Sequence, residues 1–230
     1  MKKIGLLGGM SWESSLNYYK IINQETKKQL GGLHSAKIVL NSVDFEPIEQ
    51  LQHKGDWDGT AEILSIEAKN IQNAGADFLL ICTNTMHKVA SDIEKHIDIP
   101  ILHIADATAE VLIKDGIEKV GLLGTAFTME QEFYKGRLKD KFNLDVVIPN
   151  KDDIKTIHDI IYNELCLGEI NINSKNEYLS VIHNLENHGA EAVILGCTEI
   201  AMLIDQKDTD IKLYDTTEIH AKKAVEYALR

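Results

Sequence analysis

Two short segments of this chain carry residue types that could move a proton. Residues 74–85 and 188–199 share a Gly-Ala-acid word followed by an apolar run, and anchoring on that word places Thr83 opposite Cys197. The word Ile-Gly-Leu-Leu-Gly at 4–8 also recurs as Val-Gly-Leu-Leu-Gly at 120–124, an offset of about 115 residues, which indicates two similar halves. We expect equivalent strand ends of two similar domains to present Thr83 and Cys197 to opposite faces of a ligand, a geometry suited to moving a proton across a stereocentre.

Cys197 is the candidate nucleophile or base. A free thiol has a pKa of about 8.5, which a helix N-terminus lowers, so a partly ionised Cys197 is expected where a strand leads into a helix. Cys166 lies in a helical stretch and is expected to be an inert, buried thiol. Cys82 remains an alternative partner of Cys197, because an alignment shifted by one residue matches Cys82-Thr83 to Cys197-Thr198. In a strand, a shift of one residue turns the side chain to the other face. We favour Thr83, because the longer Gly-Ala-acid anchor supports it without a gap.

Small, polar or reactive residues follow four predicted strands, at 8–11, 83–85, 124–125 and 197–199. Ligands of open parallel sheets bind beyond the carboxyl ends of the strands, where loops lead into helix N-termini. Asn and Thr side chains, with the free backbone N–H groups of the first helical turns, can donate hydrogen bonds to a carboxylate there. The alternative interpretation is ordinary helix capping by the same residues.

Composition excludes several classes of protein. The chain has 230 residues, 44% of them hydrophobic, a net charge of -12 and two arginines, Arg137 and Arg230, which argues against a nucleic-acid partner. No apolar run approaches the ~20 residues needed to span a bilayer, and three Cys fit reduced thiols better than a disulfide framework. The histidines lack metal-ligand spacing and the first glycines lack the dinucleotide-binding pattern. We expect a cytoplasmic protein without metal, cofactor, membrane or nucleic-acid partner.

Alternating apolar runs and amphipathic stretches predict an α/β fold. Helices are predicted over 12–30, 59–73 and 129–141, with Ser11, Asp58 and Thr128 as their N-caps. Two similar doubly wound parallel-sheet domains follow, with the active site in the cleft between them; residues 1–101 plus 213–230 form the first and 102–212 the second. Eight parallel strands are predicted: 3–8, 37–42, 78–82, 100–104, 119–123, 145–148, 192–196 and 211–214.

The strand-end motifs resemble those of the cofactor-independent aspartate/glutamate racemases. These motifs are Thr-Asn-Thr-Met-His at 83–87, Gly-Cys-Thr-Glu at 196–199 and Gly-Gly-Met-Ser at 8–11, so the resemblance covers essentially the whole chain. Most family members carry Cys at the position of Thr83. With Thr at this position, the chain resembles the L-aspartate/glutamate-specific branch and the broad-specificity amino-acid racemases. The resemblance implies a pyridoxal-phosphate-independent isomerase in which Cys197 takes the α-proton and Thr83 acts as the opposite acid.

The resemblance also implies the residues that bind the substrate. Asn84, Thr85 and Thr198 would hold the α-carboxylate and amino group, and Met10, Gln52 and Thr125 would line the pocket. Family aspartate racemases place a Lys two residues before a glycine to hold the distal carboxylate, whereas Cys166 stands in that position here.

Three functions remain open on the sequence. An amino-acid racemase acting on L-aspartate, L-glutamate or a related amino acid is favoured, and we expect it to be a homodimer. A decarboxylase or a cis-trans isomerase of small dicarboxylic acids in the same superfamily is the alternative, because one Cys suffices for those reactions. A non-catalytic protein that binds small acids is the third.

Overall fold

The computed structural model describes all 230 residues, which divide into two compact units. The first unit contains Met1–Ile104 and His220–Arg230, and the second contains Ala105–Ile219. The boundaries predicted from the sequence, 101/102 and 212/213, lie a few residues earlier. The second difference arises because the last strand, residues 212–215, pairs with residues 192–195 and therefore belongs to the sheet of the second unit.

The first unit contains a parallel sheet in the order β2-β1-β3. All five residues of β1 are buried, because helices cover both faces of the sheet. Ile4 and Leu6 pack with Tyr18 in a cluster on one face, and Leu7 packs with Ile48 in a cluster on the other. The elements are β1 (Ile4–Gly8), α1 (Trp12–Leu30), β2 (Ile38–Ser42), α2 (Phe45–Lys54), α3 (Trp57–Asn73), β3 (Phe78–Ile81), a 3-10 helix (Thr85–Val89) and α4 (Ala90–Glu94).

The predicted strand at 100–104 is wrong in its extent. Only Ile101 forms a parallel bridge, opposite Leu79. Pro100 has no N–H to extend the ladder on one side. On the other side, the N–H of Ile104 donates to Nε2 of His87 at 3.2 Å instead of to the sheet.

Side-chain caps fix where the helices of the first unit begin. Ser11 caps α1, as predicted, and accepts from the backbone N–H of Ser14 at 3.4 Å. The predicted cap Asp58 is wrong: Asp56 accepts from the N–H of Gly59 at 2.9 Å, so α3 begins two residues earlier. None of the helices is both long and apolar enough to cross a membrane.

The second unit repeats this topology with one more full strand, in the order β5-β4-β6-β7, all parallel. Every residue of β6 is buried, as a central strand between two helical layers requires. The two parallel sheets confirm the predicted α/β fold class. The elements are α5 (Ile104–Lys114), β4 (Lys119–Gly124), α6 (Ala126–Glu130), α7 (Glu132–Phe142), β5 (Asp145–Val147), α8 (Lys151–Asn163), α9 (Ile172–Asn187), β6 (Ala192–Gly196), α10 (Ile200–Leu203) and β7 (Lys212–Asp215). The last helix, α11 (Thr216–Leu229), begins in the second unit and belongs to the first unit from His220 onward.

The helix predicted over 129–141 with Thr128 as its cap is also wrong. Thr125 is the cap and accepts from the N–H of Thr128 at 3.3 Å. Gln131 adopts an extended conformation, with φ -90° and ψ 152°, which ends α6 and starts α7. The segment is therefore two short helices.

Candidate active site

Strand pairing within each unit determines which residues occupy equivalent strand ends. In the first unit, the first residue of the Ile-Gly-Leu-Leu-Gly segment lies opposite Phe78. In the second unit, the first residue of the matching Val-Gly-Leu-Leu-Gly segment lies opposite Ala192. The fifth residue after Phe78 is Thr83, and the fifth after Ala192 is Cys197. Thr83 and Cys197 therefore hold equivalent positions, and Cys82 corresponds to the residue before Cys197.

Cys82 is a core residue. Its side chain is 1% exposed and packs in the same cluster as Ile4 and Tyr18. Burial raises the pKa of the Cys82 thiol far above its ordinary value, and Sγ lies 3.9 Å from the carbonyl oxygen of Leu80. Its burial and the strand register favour Thr83 over Cys82 as the counterpart of Cys197.

Cys197 follows β6 directly and forms one short contact. Its Sγ donates to Oε2 of Glu199 at 2.9 Å, and the side chain is 9% exposed. Burial, followed by the charge of Glu199, raises the pKa of the Cys197 thiol well above its ordinary value. This direction is opposite to the expected one, because burial disfavours the thiolate and the dipole of the four-residue α10 is small compared with a carboxylate in direct contact.

Thr198 and Thr125 complete the strand ends of the second unit. Gly124 pairs with Gly196, so Thr125 and Cys197 both follow paired strand residues. The Thr198 hydroxyl donates to Glu199 Oε2 at 2.8 Å, so its hydrogen is already committed to that carboxylate. The Thr125 hydroxyl caps α6. Both side chains are buried, at 4% exposure.

The loop after β3 contains Thr83, Asn84 and Thr85. Thr83 is half-buried, whereas Asn84 and Thr85 are 2% and 5% exposed. His87 lies in the 3-10 helix that follows: Nδ1 lies 2.9 Å from the carbonyl oxygen of Thr83, and Nε2 accepts from the backbone N–H of Ile104. This pair of contacts requires the Nδ1–H tautomer, and it fixes the backbone of Thr83 to the start of α5.

Met10 and Gln52 lie in the first unit. Met10 is 3% exposed and packs in the cluster that contains Ile48. Gln52 is one helical turn after Ile48, on the same buried face of α2. It is 2% exposed, and its Oε1 has no hydrogen-bond partner. An unsatisfied buried amide oxygen is costly, so this atom is available to a ligand that donates a hydrogen bond.

The sequence did not predict that Glu199 and Cys166 interact with Cys197. Glu199 was part of the quoted Gly-Cys-Thr-Glu motif, but nothing in the sequence showed that its carboxylate turns back to Cys197. Cys166 is half-buried on a 3-10 turn, Leu165–Leu167, rather than buried within a helix, and its charge also raises the pKa of Cys197. Sequence spacing alone could not reveal this interaction between the two thiols.

Comparison with known proteins gives consistent results. A family model described as Asp/Glu/Hydantoin racemase matches residues 7–224. A candidate Asp/Glu racemase from Yersinia pestis has a crystal structure that is 54% identical, with full coverage of both chains and a TM-score of 0.93. The structure of an aspartate racemase homologue from Pyrococcus horikoshii OT3 is 35% identical, again with full coverage of both, at a TM-score of 0.86.

A more distant relative has a broader described activity. The broad-specificity amino-acid racemase RacX of Bacillus subtilis (strain 168) is 24% identical over 172 residues, which are 74% of this chain and 73% of RacX. The matching family model and RacX are described as racemases, which confirms the predicted isomerase class. The match over nearly the whole length, together with full-length relatives at 54% and 35% identity, shows that this chain belongs to the Asp/Glu/Hydantoin racemase family.

Proposed function

We propose that this protein is a pyridoxal-phosphate-independent racemase of an amino acid, with L-aspartate, L-glutamate or a related amino acid as substrate. The observation that carries the proposal is the equivalence of Thr83 and Cys197 at the ends of β3 and β6, with a thiol at one of the two positions. Duplication of an ancestral domain accounts for the shared strand order of the two units.

In the proposed reaction, Cys197 removes the α-proton of the L-enantiomer. Thr83, or a water that it holds, returns a proton to the opposite face of the α-carbon. A Thr hydroxyl is too weak an acid to form its anion near neutral pH, so Thr83 can donate or position a water but is a poor base. The D-enantiomer should therefore react more slowly or bind less well, although the equilibrium between free enantiomers remains at unity.

The substrate-binding proposal assigns the α-carboxylate and amino group to Asn84, Thr85 and Thr198, and the side chain to the region of Met10, Gln52 and Thr125. Gln52 Oε1 supports this assignment because it is a buried acceptor without a partner. The Thr198 hydroxyl already donates to Glu199, so Thr198 would contribute its backbone N–H or its oxygen lone pairs. Cys166 stands where family aspartate racemases place a cation, which supports a substrate range broader than aspartate.

Exchange of the substrate α-hydrogen tests the proposal. The protein is incubated in deuterated water with each of the twenty amino acids, and loss of the α-proton signal is followed by NMR. We expect exchange with at least one amino acid and its loss in Cys197→Ala. Cys82→Ala and Cys166→Ala are the matched controls, since each removes a thiol that the proposed reaction does not use. Inactivity of Cys82→Ala with full activity of Thr83→Ala would reverse the assignment.

A decarboxylase or a cis-trans isomerase of small dicarboxylic acids is the second candidate. It is favoured by one specific observation: a single thiol stands at the equivalent strand ends. Release of carbon dioxide from substituted malonates, or conversion of maleate, without α-hydrogen exchange would support it. A protein that binds an amino acid without exchange would be a non-catalytic binding protein.

The proposal includes a cytoplasmic homodimer. The three free cysteines support a reducing compartment, and sedimentation of the purified protein tests the oligomeric state.

A further inference from the structure

Lys88 is a half-buried lysine just beyond the carboxyl end of β3. It lies in the 3-10 helix Thr85–Val89, which directly follows the loop of Thr83 and Asn84. Such a helix repeats every three residues, so the side chains of Thr85 and Lys88 leave it on the same side. At a rise of ~2.0 Å per residue, the two Cα atoms are separated by about 6 Å along the helix axis.

The ring of Trp57 positions the ammonium group of Lys88. Nζ lies 4.2 Å from the centroid of this ring, in a cation–π contact. Trp57 is the first residue of α3 and packs against the cluster that contains Met10 and Ile48. Because α3 ends shortly before β3 begins, its last residue lies near the amino edge of the parallel sheet and its first residue near the carboxyl edge. Two elements therefore bring the ammonium to the edge where ligands of parallel sheets bind.

The connection between α2 and α3 contains both Gln52 and Trp57. The carbonyl oxygen of Gln52 accepts from the N–H of Gly55 at 3.0 Å, in the turn that ends α2. The two other basic residues of this connection, His53 and Lys54, are exposed. A half-buried charge attracts a carboxylate more strongly than an exposed one, because less water screens it. Lys88 is therefore the basic side chain of this region that is best suited to bind an anion.

An acidic substrate brings a second carboxylate that needs a cation. The six residues assigned to substrate binding are all uncharged: Met10, Gln52, Asn84, Thr85, Thr125 and Thr198. The net charge of the chain, -12, adds no attraction for an anion. Burial lowers the pKa of the Lys88 ammonium, and a carboxylate beside it acts in the opposite direction because it favours the charged form. An acidic side chain is thus the ligand that complements Lys88.

We propose that Lys88, positioned by the Trp57 ring, binds the distal carboxylate of an acidic amino-acid substrate and makes dicarboxylic amino acids the preferred class. This inference rests on the proposed racemase function. Nζ offers three donors on a flexible four-carbon stem, so the contact suits carboxylates at more than one distance from the α-carbon. L-Aspartate and L-glutamate therefore both fit. Their side-chain amides have nearly the same shape but leave the ammonium without a charged partner.

The test compares each acid with its side-chain amide. Exchange of the α-hydrogen is measured for L-aspartate and L-asparagine, and for L-glutamate and L-glutamine. Lys88→Met keeps an unbranched side chain and removes the charge. The ratio of kcat/KM for acid over amide should fall about 10- to 100-fold, the effect of losing a hydrogen bond between two charged groups. The fall should appear in KM rather than in kcat, because the distal carboxylate is bound equally before and during proton transfer.

Two variants separate charge from structure. Lys95→Met is the matched control, since Lys95 is an exposed lysine of the same unit that pairs with Asp92 at 2.6 Å, and it should keep the ratio. Lys88→Arg retains the positive charge and should keep the preference for the acid. An unchanged ratio in Lys88→Met overturns the inference, even if both rates fall together. A loss of preference as large in Lys88→Arg or Lys95→Met also overturns it.

Tryptophan fluorescence distinguishes failure of this inference from failure of the proposed function. The chain has two tryptophans, and Trp12 is exposed on α1, so Trp12→Phe leaves Trp57 as the reporter. L-Aspartate should change the emission at lower concentration than L-asparagine, and Lys88→Met should abolish this difference. If the protein exchanges no amino acid, the proposed function fails, and equal titration by acid and amide then overturns the role of Lys88 separately. Exchange of neutral amino acids without exchange of either acid overturns the inference and leaves the proposed function intact.

Discussion

Replacing Thr83 by Cys should accelerate turnover of the D-enantiomer more than that of the L-enantiomer. The structure places Thr83 at the strand-end position equivalent to Cys197, with its carbonyl oxygen held by His87, so the new thiol keeps the position of the hydroxyl. Thr83 is half-buried and has no carboxylate bonded to it comparable to Glu199. Its thiol should therefore keep a pKa close to the ordinary value of about 8.5.

The size of the gain follows from these values. At pH 7.5, a thiol of pKa about 8.5 is about one-tenth thiolate. A positioned general base contributes about 10²–10⁴-fold, so initial rates on the D-enantiomer should rise about 10- to 1000-fold. The substitution also deletes a half-buried methyl group, worth about 0.4 kcal/mol at ~0.8 kcal/mol per fully buried group, so the fold should survive.

Thr83→Ser is the matched control, because it loses the same methyl group without gaining a thiol. Initial rates for both enantiomers are measured by polarimetry or by α-hydrogen exchange in all three proteins. Comparable D and L rates in the unaltered protein would refute the assignment of Thr83 as the weaker base. An equal gain for both enantiomers in Thr83→Cys, or a gain shared by Thr83→Ser, would also refute it.

Three further predictions concern other parts of the molecule. Cys197→Ser should lower exchange at least about 100-fold with an unchanged circular dichroism spectrum, and more than a few per cent of residual activity would remove Cys197 from the reaction. Amino-acid amides and esters should bind about 10- to 100-fold more weakly than the free acids in calorimetry, since a hydrogen bond to a charged group contributes about 1.5–3 kcal/mol; equal affinity contradicts the carboxylate site. Burial lowers the pKa of His220 from 6.5 to about 4, so the unfolded state binds more protons between these values and the free energy of unfolding falls as the pH falls through them. The loss of unfolding free energy should approach about 3 kcal/mol below pH 4, at 1.36 kcal/mol per pKa unit. Urea unfolding at several pH values measures this loss, which should be smaller in His220→Gln. The Gln side chain can still bond Tyr18 and the carbonyl oxygen of Leu102.

Local sequence features determined most of the elements. The run at 4–8 is apolar on both faces, as a covered parallel strand requires, and Ser11 supplies the cap that starts α1. The residue types at the strand ends, Thr83 and Cys197, were readable because parallel strands direct their carboxyl ends to one edge of a sheet. Family membership was similarly readable, because the two motifs lie in the correct halves of the chain.

Tertiary contacts decided what periodicity could not. The apolar run at 100–104 has strand-like composition, yet Pro100 lacks a donor and His87 takes the N–H of Ile104, so only a bridge forms. The predicted caps Asp58 and Thr128 failed because an equally suitable Asp or Thr stood two or three residues earlier, and only packing selects among such neighbours.

The electrostatic state of Cys197 was likewise decided by the folded chain. The sequence indicated a thiol before a helix, from which a lowered pKa was expected. In the structure the thiol is buried, the Glu199 side chain turns back onto Sγ and the helix is only four residues long, so the pKa of the thiol rises. The sequence by itself thus determined which chemical groups stand at the strand ends. The tertiary structure determined their burial and hydrogen-bond partners, and these set the protonation state because charge interactions depend on distance and solvation rather than on order along the chain.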